Sequence, residues 1–116
     1  MPNETLKDEY QQSAINWGSA ILKGDSKSAN RIHNRLNKMS SKLKKNESDY
    51  KLLLSGLIEH PEPSVRLVAS IDALYSGINL QESETALNKL ISDPNIGVLS
   101  LMALASLDSW RKKVNK

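Results

Sequence analysis

The chain has 116 residues, no cysteine and a formal net charge of +3 at pH 7. The absence of cysteine excludes a disulfide framework and a thiolate zinc site, and it makes a reducing cytoplasmic location the natural expectation. No apolar run reaches the roughly 18 residues of a membrane span, and the N-terminal residues lack the apolar core of a signal peptide, so we expect one domain over residues 1–116 without a membrane partner.

Helices are predicted along the whole chain, because leucine, alanine, lysine and serine dominate whereas valine and isoleucine are sparse. The hydrophobic spacing gives six helices, over residues 5–23, 27–45, 48–60, 63–76, 83–92 and 96–113. Thr5 is expected to cap the first helix, and Gly24 and Gly77 are expected to end the first and the fourth. Pro61 ends the third helix and Pro63 suits the first turn of the fourth, so "HPEP" is predicted to form a tight helix–helix corner.

The spacing of apolar residues also predicts which side of each helix is buried. The residues predicted to share one side of the fourth helix are Val65, Val68, Ile71, Asp72 and Tyr75, with Leu67 and Leu74 beside them. The sixth helix carries Val98, Leu101, Met102, Leu104, Ala105 and Leu107 as its apolar residues. Replacement of Leu57 or Leu101 with aspartate is therefore expected to unfold the domain, because the substitution would bury an unpaired charge.

An internal repeat of 33 residues relates the last two predicted hairpins. The shift pairs Leu54 with Leu87, Leu57 with Leu90, Pro61 with Pro94, Val65 with Val98, Val68 with Leu101, Ile71 with Leu104 and Leu74 with Leu107. A further shift reaches Ile32 and Leu36 without a preceding proline, as expected of a degenerate terminal unit. The chain is thus predicted to form three stacked helical hairpins.

The segment "HPEPSVRLVASIDAL" resembles the corner and second helix of a HEAT-type repeat, with Val65, Arg66, Ala69 and Leu74 at matching positions. In the last unit, "NIGVLSLMALASL" matches in hydrophobicity but lacks the arginine. The order of Trp17, "ANRIHNRL", "HPEPSVRL" and a leucine-rich last helix is similar to that of a family of small bacterial HEAT-like proteins. The resemblance implies an all-α fold, a right-handed α-α superhelix of about three HEAT-like helical hairpins. It also implies a binding function, since some small bacterial proteins of this type act as toxin immunity proteins.

A row of basic residues is predicted along one side of the second helix. Residues 26–46 contain seven lysines and arginines and no acidic residue. The row comprises Arg31, Arg35, Lys38, Lys42 and Lys45. Such a ribbon could follow the phosphates of a nucleic acid, face acidic side chains of this protein or of a partner, or lie along the edge of the core with its charges in water. The helix has no aromatic residue for base stacking.

Acidic residues concentrate in residues 47–109, which hold nine acidic and three basic side chains. Such a surface would steer a basic nuclease toxin and cover its phosphate-binding cleft, or it would only keep a leucine-rich domain soluble. Asp72 is predicted on the apolar side of its helix, where its carboxylate needs a partner such as Arg66 or Tyr75. Arg66 could alternatively pair with Glu62 across the corner.

These patterns favour a cytoplasmic immunity protein that binds and neutralises a cognate toxin and is a monomer when free. The alternatives are a nucleic-acid-associated protein that uses the second helix, and a protein–protein adaptor. The predicted partner-binding residues are Arg31, Arg35, Lys38, Lys42, Glu62, Arg66, Asp72 and Asp108. No metal site is predicted, because His33 and His60 lie outside any cluster with the spacing of metal ligands. No enzyme activity or cofactor is predicted either, and Trp17 and Trp110 are expected to be core or cap residues.

Overall fold

The computed structural model describes residues 2–114, with side chains from Thr5 onward. Its helices are α1 (Pro2–Lys23), α2 (Ser26–Leu43), α3 (Glu47–Leu57), α4 (Pro63–Ser76), α5 (Leu80–Ile91) and α6 (Val98–Val114). Residues 2–114 contain no strand, which confirms the all-helical class. Within this range, none of the helices combines the length and the hydropathy that crossing a membrane requires.

Several helix ends lie where the sequence places them. Gly24 and Gly77 follow α1 and α4 with left-handed φ angles of 75° and 74°, a conformation that side chains with a Cβ rarely adopt. Pro63 occupies the first turn of α4, where its missing N–H leaves no hydrogen bond unmade. Asp25 caps α2, since its carboxylate accepts a hydrogen bond from the Ser28 N–H at 3.1 Å.

Other boundaries were wrong. Helix α1 already begins at Pro2, so Thr5 lies inside the helix and is not its cap. Helix α3 ends at Leu57 and the chain tightens into a turn before Pro61, because the residue ahead of a proline avoids the helical region. Helix α6 begins only at Val98, since Gly97 has a φ of 59° and interrupts the helix.

Helix α4 is central to the packing, with α1, α3, α5 and α6 all against it. Helix α2 packs extensively on α1 and only slightly on α3, which leaves much of its surface toward solvent. The Cα radius of gyration is 13.4 Å, close to the value of about 13 Å expected for a compact chain of this length.

The core is formed mainly by leucines and alanines with a few aromatic side chains. Trp17, at 7% exposure, is a core residue as predicted. Leu67 and Leu74 form the buried centre of α4, whereas Tyr75 is 46% exposed and was wrongly predicted to face inward. The largest fully buried side chains are Tyr10, Leu54, Leu67, Leu74, Leu87, Leu90 and Leu107.

A close approach of α1 and α4 depends on Gly18. A Cβ added to this buried glycine would lie 2.3 Å from the Cβ of Ser64 and 2.6 Å from its Oγ, which is far inside contact distance. The small side chains at both positions therefore set the separation of these two helices.

The buried face of α6 differs from the prediction. Leu99, Ala103 and Leu107 are buried, whereas Leu101 is 64% exposed and Leu104 is 49% exposed. Val98, at 41% exposure, and Ala105 also face solvent. Eight of the ten residues 98–107 are apolar, so their spacing alone does not select one face. The position of α4 and α5 decides which residues are covered, and the expectation that Leu101 is a core residue was wrong.

Candidate partner-binding surfaces

The basic row of the sequence forms one exposed surface on α2, which we call the α2 basic face. It consists of Arg31, Arg35, Lys38, Lys42 and, just beyond the helix, Lys45, all of which are exposed. The inward side of the same helix carries Leu36, Met39 and Leu43, each 4% exposed. The helix is therefore held to the protein by its apolar side and presents cations to solvent.

Arg66 closes the "HPEP" corner. Its Nη1 donates to the backbone oxygens of His60 and Pro61, at 3.0 Å in both cases. The Glu62 N–H donates to His60 Nδ1 at 3.0 Å, and His60 Nε2 lies 3.2 Å from the Gln11 side-chain nitrogen on α1. The predictions that Arg66 pairs with Asp72 or Glu62 were wrong, because its guanidinium satisfies carbonyl groups that the turn leaves free.

Asp72 joins three helices from inside the fold. Its Oδ2 accepts a short hydrogen bond from the Tyr10 hydroxyl on α1 and another from Ser40 Oγ on α2 at 2.8 Å. Tyr10 is fully buried and Ser40 is 6% exposed, so the carboxylate points inward. Tyr10 and Ser40, and not Tyr75, are thus the partners that this carboxylate needs, and Asp72 is bonded within the protein rather than displayed to a partner.

Burial governs the protonation of this cluster. It raises the pKa of the Asp72 carboxyl above its ordinary value, although the hydrogen bonds from Tyr10 and Ser40 and the nearby Lys44 and His33 side chains oppose the shift. Burial, together with the negative charge of Asp72, raises the pKa of the Tyr10 hydroxyl well above its ordinary value. Burial, together with the negative charge of Asp72, also raises the pKa of the Tyr50 hydroxyl above its ordinary value. The cluster is therefore a polar core that contains two tyrosine hydroxyls and one carboxyl.

An apolar surface covers the outer side of α6, and we call its four residues, Val98, Leu101, Leu104 and Ala105, the α6 face. Leu22 of α1, 57% exposed, adjoins it, since a Cβ at Gly97 would lie 3.6 Å from Leu22 Cδ2. Glu62 lines the same cleft as Leu22 beside the start of α6. Asp108 continues the line of Leu101 and Leu104 along the helix. The cleft that holds Glu62 is lined on α6 by Leu99 and not by the four residues of the α6 face, whereas Asp108 lies one turn beyond Leu104.

The remaining acidic residues are spread over the surface. Asp108 pairs with Lys112 at 3.3 Å, and Glu84 pairs with Arg111 at 3.4 Å. Glu59 and Glu82 line an open cleft between α3 and α5 that also contains Arg66 and Lys89. This cleft therefore carries charges of both signs.

The eight predicted partner-binding residues fall into three places. Arg31, Arg35, Lys38 and Lys42 lie together on the α2 basic face, whereas Glu62 lies in the cleft beside the start of α6 and Asp108 follows Leu104 on α6. Arg66 and Asp72 make the internal contacts described above. Among residues 5–114, no three His, Asp or Glu side chains converge to hold a metal ion.

Sequence reasoning missed the partners of Asp72 and the exposed side of α6. Tyr10 and Ser40 lie 62 and 32 residues from Asp72, so no local spacing connects them. A signal was nevertheless present, since a tyrosine and a serine at apolar helix positions suggest a shared buried polar partner.

A comparison with family models matches residues 5–108 to a family described as "Domain of unknown function (DUF2019)". Neither the curated proteins nor the solved structures gave a match.

Proposed function

The chain belongs to the DUF2019 family, and we propose that it is a non-enzymatic binding protein: an immunity protein that binds and neutralises a cognate bacterial toxin. In this proposal it acts in the cytoplasm and is a monomer until it meets the toxin. The absence of cysteine and the resemblance of the "HPEP" segment to HEAT-type repeats support this role.

We propose that the six helices form a right-handed superhelix of three HEAT-like hairpins, α1–α2, α3–α4 and α5–α6. The packing of the helices within each hairpin supports this arrangement, as does the contact of α4 with α6. The 33-residue register also supports it, since Leu54 and Leu87 are both 0% exposed and Leu74 and Leu107 are 2% and 1% exposed.

The observation that carries the proposal is the α6 face. Val65 of α4 is 1% exposed, but Val98, its counterpart one repeat later, is 41% exposed. Val68 and Ile71 are half-buried, whereas their counterparts Leu101 and Leu104 face solvent. A row of exposed apolar residues on one side of a helix favours a protein partner that covers it.

The charges around this face favour a basic partner. Glu62 lies in the cleft beside the start of α6, Asp108 lies one turn beyond Leu104, and residues 47–109 as a whole carry nine acidic and three basic side chains. Complementary charge around an apolar centre speeds the encounter and fixes the orientation of two proteins. A nuclease toxin, whose own cleft must attract phosphates, has the required positive charge.

Capture from the native organism tests the proposal. The bait is the full chain, washed at high salt, beside two variants with the same charge change, Leu101→Asp on the α6 face and Leu52→Asp on α3, where Leu52 is 72% exposed. We expect one stoichiometric basic protein on the wild type and on Leu52→Asp. Leu101→Asp should lose it, because a charge in the apolar centre of an interface lowers affinity by about tenfold or more.

Other outcomes would contradict the proposal in different ways. Several weakly held proteins would point to an adaptor instead of an immunity protein. A partner lost equally from both variants would show that the α6 face is not the contact surface. Nucleic acid that disappears in the wash, with no protein retained, would also count against it.

A further inference from the structure

The α2 basic face is a second surface that the proposed function does not use. It lies on α2, which packs mainly on α1, whereas the α6 face lies on α6 and adjoins Leu22 near the C-terminal end of α1. Its charge is also opposite to that of the carboxylates beside α6. We therefore expect the α2 basic face to bind a ligand different from that of the α6 face.

Within residues 5–114, no carboxylate lies at ion-pair distance from Arg31, Arg35, Lys38 or Lys42. Arg31 acts on the Asp25 carboxyl from a greater distance, since its charge adds to the Ser28 hydrogen bonds that lower the pKa of that group. Arg31 also donates to Ser28 Oγ at 3.2 Å. Arg31 and Arg35, like Lys38 and Lys42, are four residues apart, so like charges adjoin and destabilise the isolated helix. An arrangement that costs stability in the free protein points to an anionic ligand.

The spacing suits a phosphate backbone. Successive cations are three or four residues apart, and the row from Arg31 to Lys42 extends about 16 Å along the helix axis at 1.5 Å per residue. One nucleic-acid strand presents a phosphate about every 3.4 Å of its axis, so this row faces several phosphates at once. Exposed amides of Asn30, Asn34 and Asn37 lie beside the cations and can donate hydrogen bonds to phosphate oxygens.

Two other anionic surfaces fit less well. A helix that binds a membrane inserts its apolar side, but the apolar side of α2 is already buried in the protein. A protein interface needs an apolar or aromatic anchor among its charges, and the exposed side of α2 has none in the part of the chain that the structure describes.

We infer that the α2 basic face binds the phosphate backbone of double-stranded nucleic acid without selecting a base sequence. Helix α2 has no Phe, Trp or Tyr on which bases could stack, which favours a duplex as the ligand. DNA and RNA share the backbone chemistry, and the measurement below separates them.

Fluorescence anisotropy with the full chain tests this inference, with duplex DNA, duplex RNA and polyglutamate as probes over a salt series. Contact with four phosphates gives a slope of log K against log salt of about −3.6, a loss of about 150-fold between roughly 50 and 200 mM salt. Arg31→Gln/Arg35→Gln removes two of these contacts and should reduce the slope to about −1.8. The control Lys51→Gln/Lys89→Gln removes the same charge from α3 and α5 and should leave the slope unchanged.

The inference is overturned if neither duplex binds at low salt, or if both double variants change the slope equally, since only the net charge would then matter. Stronger binding of polyglutamate than of either duplex would overturn it in favour of an acidic protein. A preference for one of the two duplexes identifies which nucleic acid is the ligand.

Discussion

Asp72 shows how one carboxylate can tie together parts of the chain that are distant in sequence. It accepts hydrogen bonds from Tyr10 on α1 and Ser40 on α2 while its own helix, α4, packs at the centre of the fold. Its burial raises the pKa of the carboxyl, so the ionised form destabilises the folded state relative to the neutral form.

The pH dependence of stability should reveal this group. Because the folded-state pKa of Asp72 is raised, its favourable contribution is complete below the unfolded-state pKa and is lost as the pH rises through the folded-state value. Asp72→Asn keeps a side-chain oxygen that can accept from Tyr10 and Ser40 and has no titrating proton. As the pH falls from the folded-state to the unfolded-state pKa, the free energy of unfolding of the wild type should rise relative to that of Asp72→Asn. The expected rise is at most about 1.4 kcal/mol per pH unit.

Thermal melts of both proteins from neutral to mildly acidic pH measure this difference, and the other carboxylates cancel in the comparison. A constant difference in melting temperature across the range would show that Asp72 titrates as an exposed aspartate does.

The need of Asp72 for a buried partner could be predicted from its place among apolar residues of α4. The identity of that partner could not be predicted. Arg66 donates hydrogen bonds to the carbonyls of its own corner, and the Tyr75 side chain is exposed to solvent. Contacts across tens of residues depend on how helices pack, and the local pattern of one helix does not contain that information.

Gly18 illustrates packing control at the scale of an element. The spacing rules treat a glycine inside a helix as a weakness of about 1 kcal/mol relative to alanine, but here it allows α1 to approach Ser64 of α4. The ends of α1 and α4 could be predicted from the sequence, because Gly24 and Gly77 readily adopt the left-handed conformation that follows a helix. The buried side of α6 could not, because eight of the ten residues 98–107 are apolar.

Alanine substitutions at two helical glycines should therefore have opposite effects. Gly18→Ala places a methyl group against Ser64 and should destabilise the protein by about 1–3 kcal/mol. Gly56→Ala in α3 meets no atom within 4 Å and should stabilise it by up to about 1 kcal/mol. Urea denaturation of the two variants checks the pair, and a stabilised Gly18→Ala would refute the close approach of α1 and α4.

Aspartate substitutions at two leucines should separate the core from the α6 face. Leu57 is 6% exposed, so Leu57→Asp should remove about 3 kcal/mol or more, a large share of the stability of a small domain. Leu101→Asp should change the stability by less than about 0.5 kcal/mol, because Leu101 is 64% exposed. Circular dichroism during denaturation distinguishes the two, and unfolding of Leu101→Asp would place that side chain in the core after all.

The whole molecule separates its charges and its apolar surface. The α2 basic face lies on one side of α1, and the α6 face with Glu62 and Asp108 lies beside the end of that same helix. The separation of charge along the chain could be predicted by counting residues, and so could the all-helical class. The exposure of the apolar residues of the α6 face could not be predicted from the sequence, because it depends on how the helices pack in the folded protein.

The proposed function as a whole predicts that this protein protects cells from the partner captured through the α6 face. The most direct measurement is the growth of cells that express that partner alone, or together with the wild type, Leu101→Asp or Leu52→Asp. We expect the partner alone to arrest growth, and the wild type and Leu52→Asp to restore it while Leu101→Asp does not. Growth that is unaffected by the partner alone, or that stays arrested in the presence of the wild type, would contradict an immunity function.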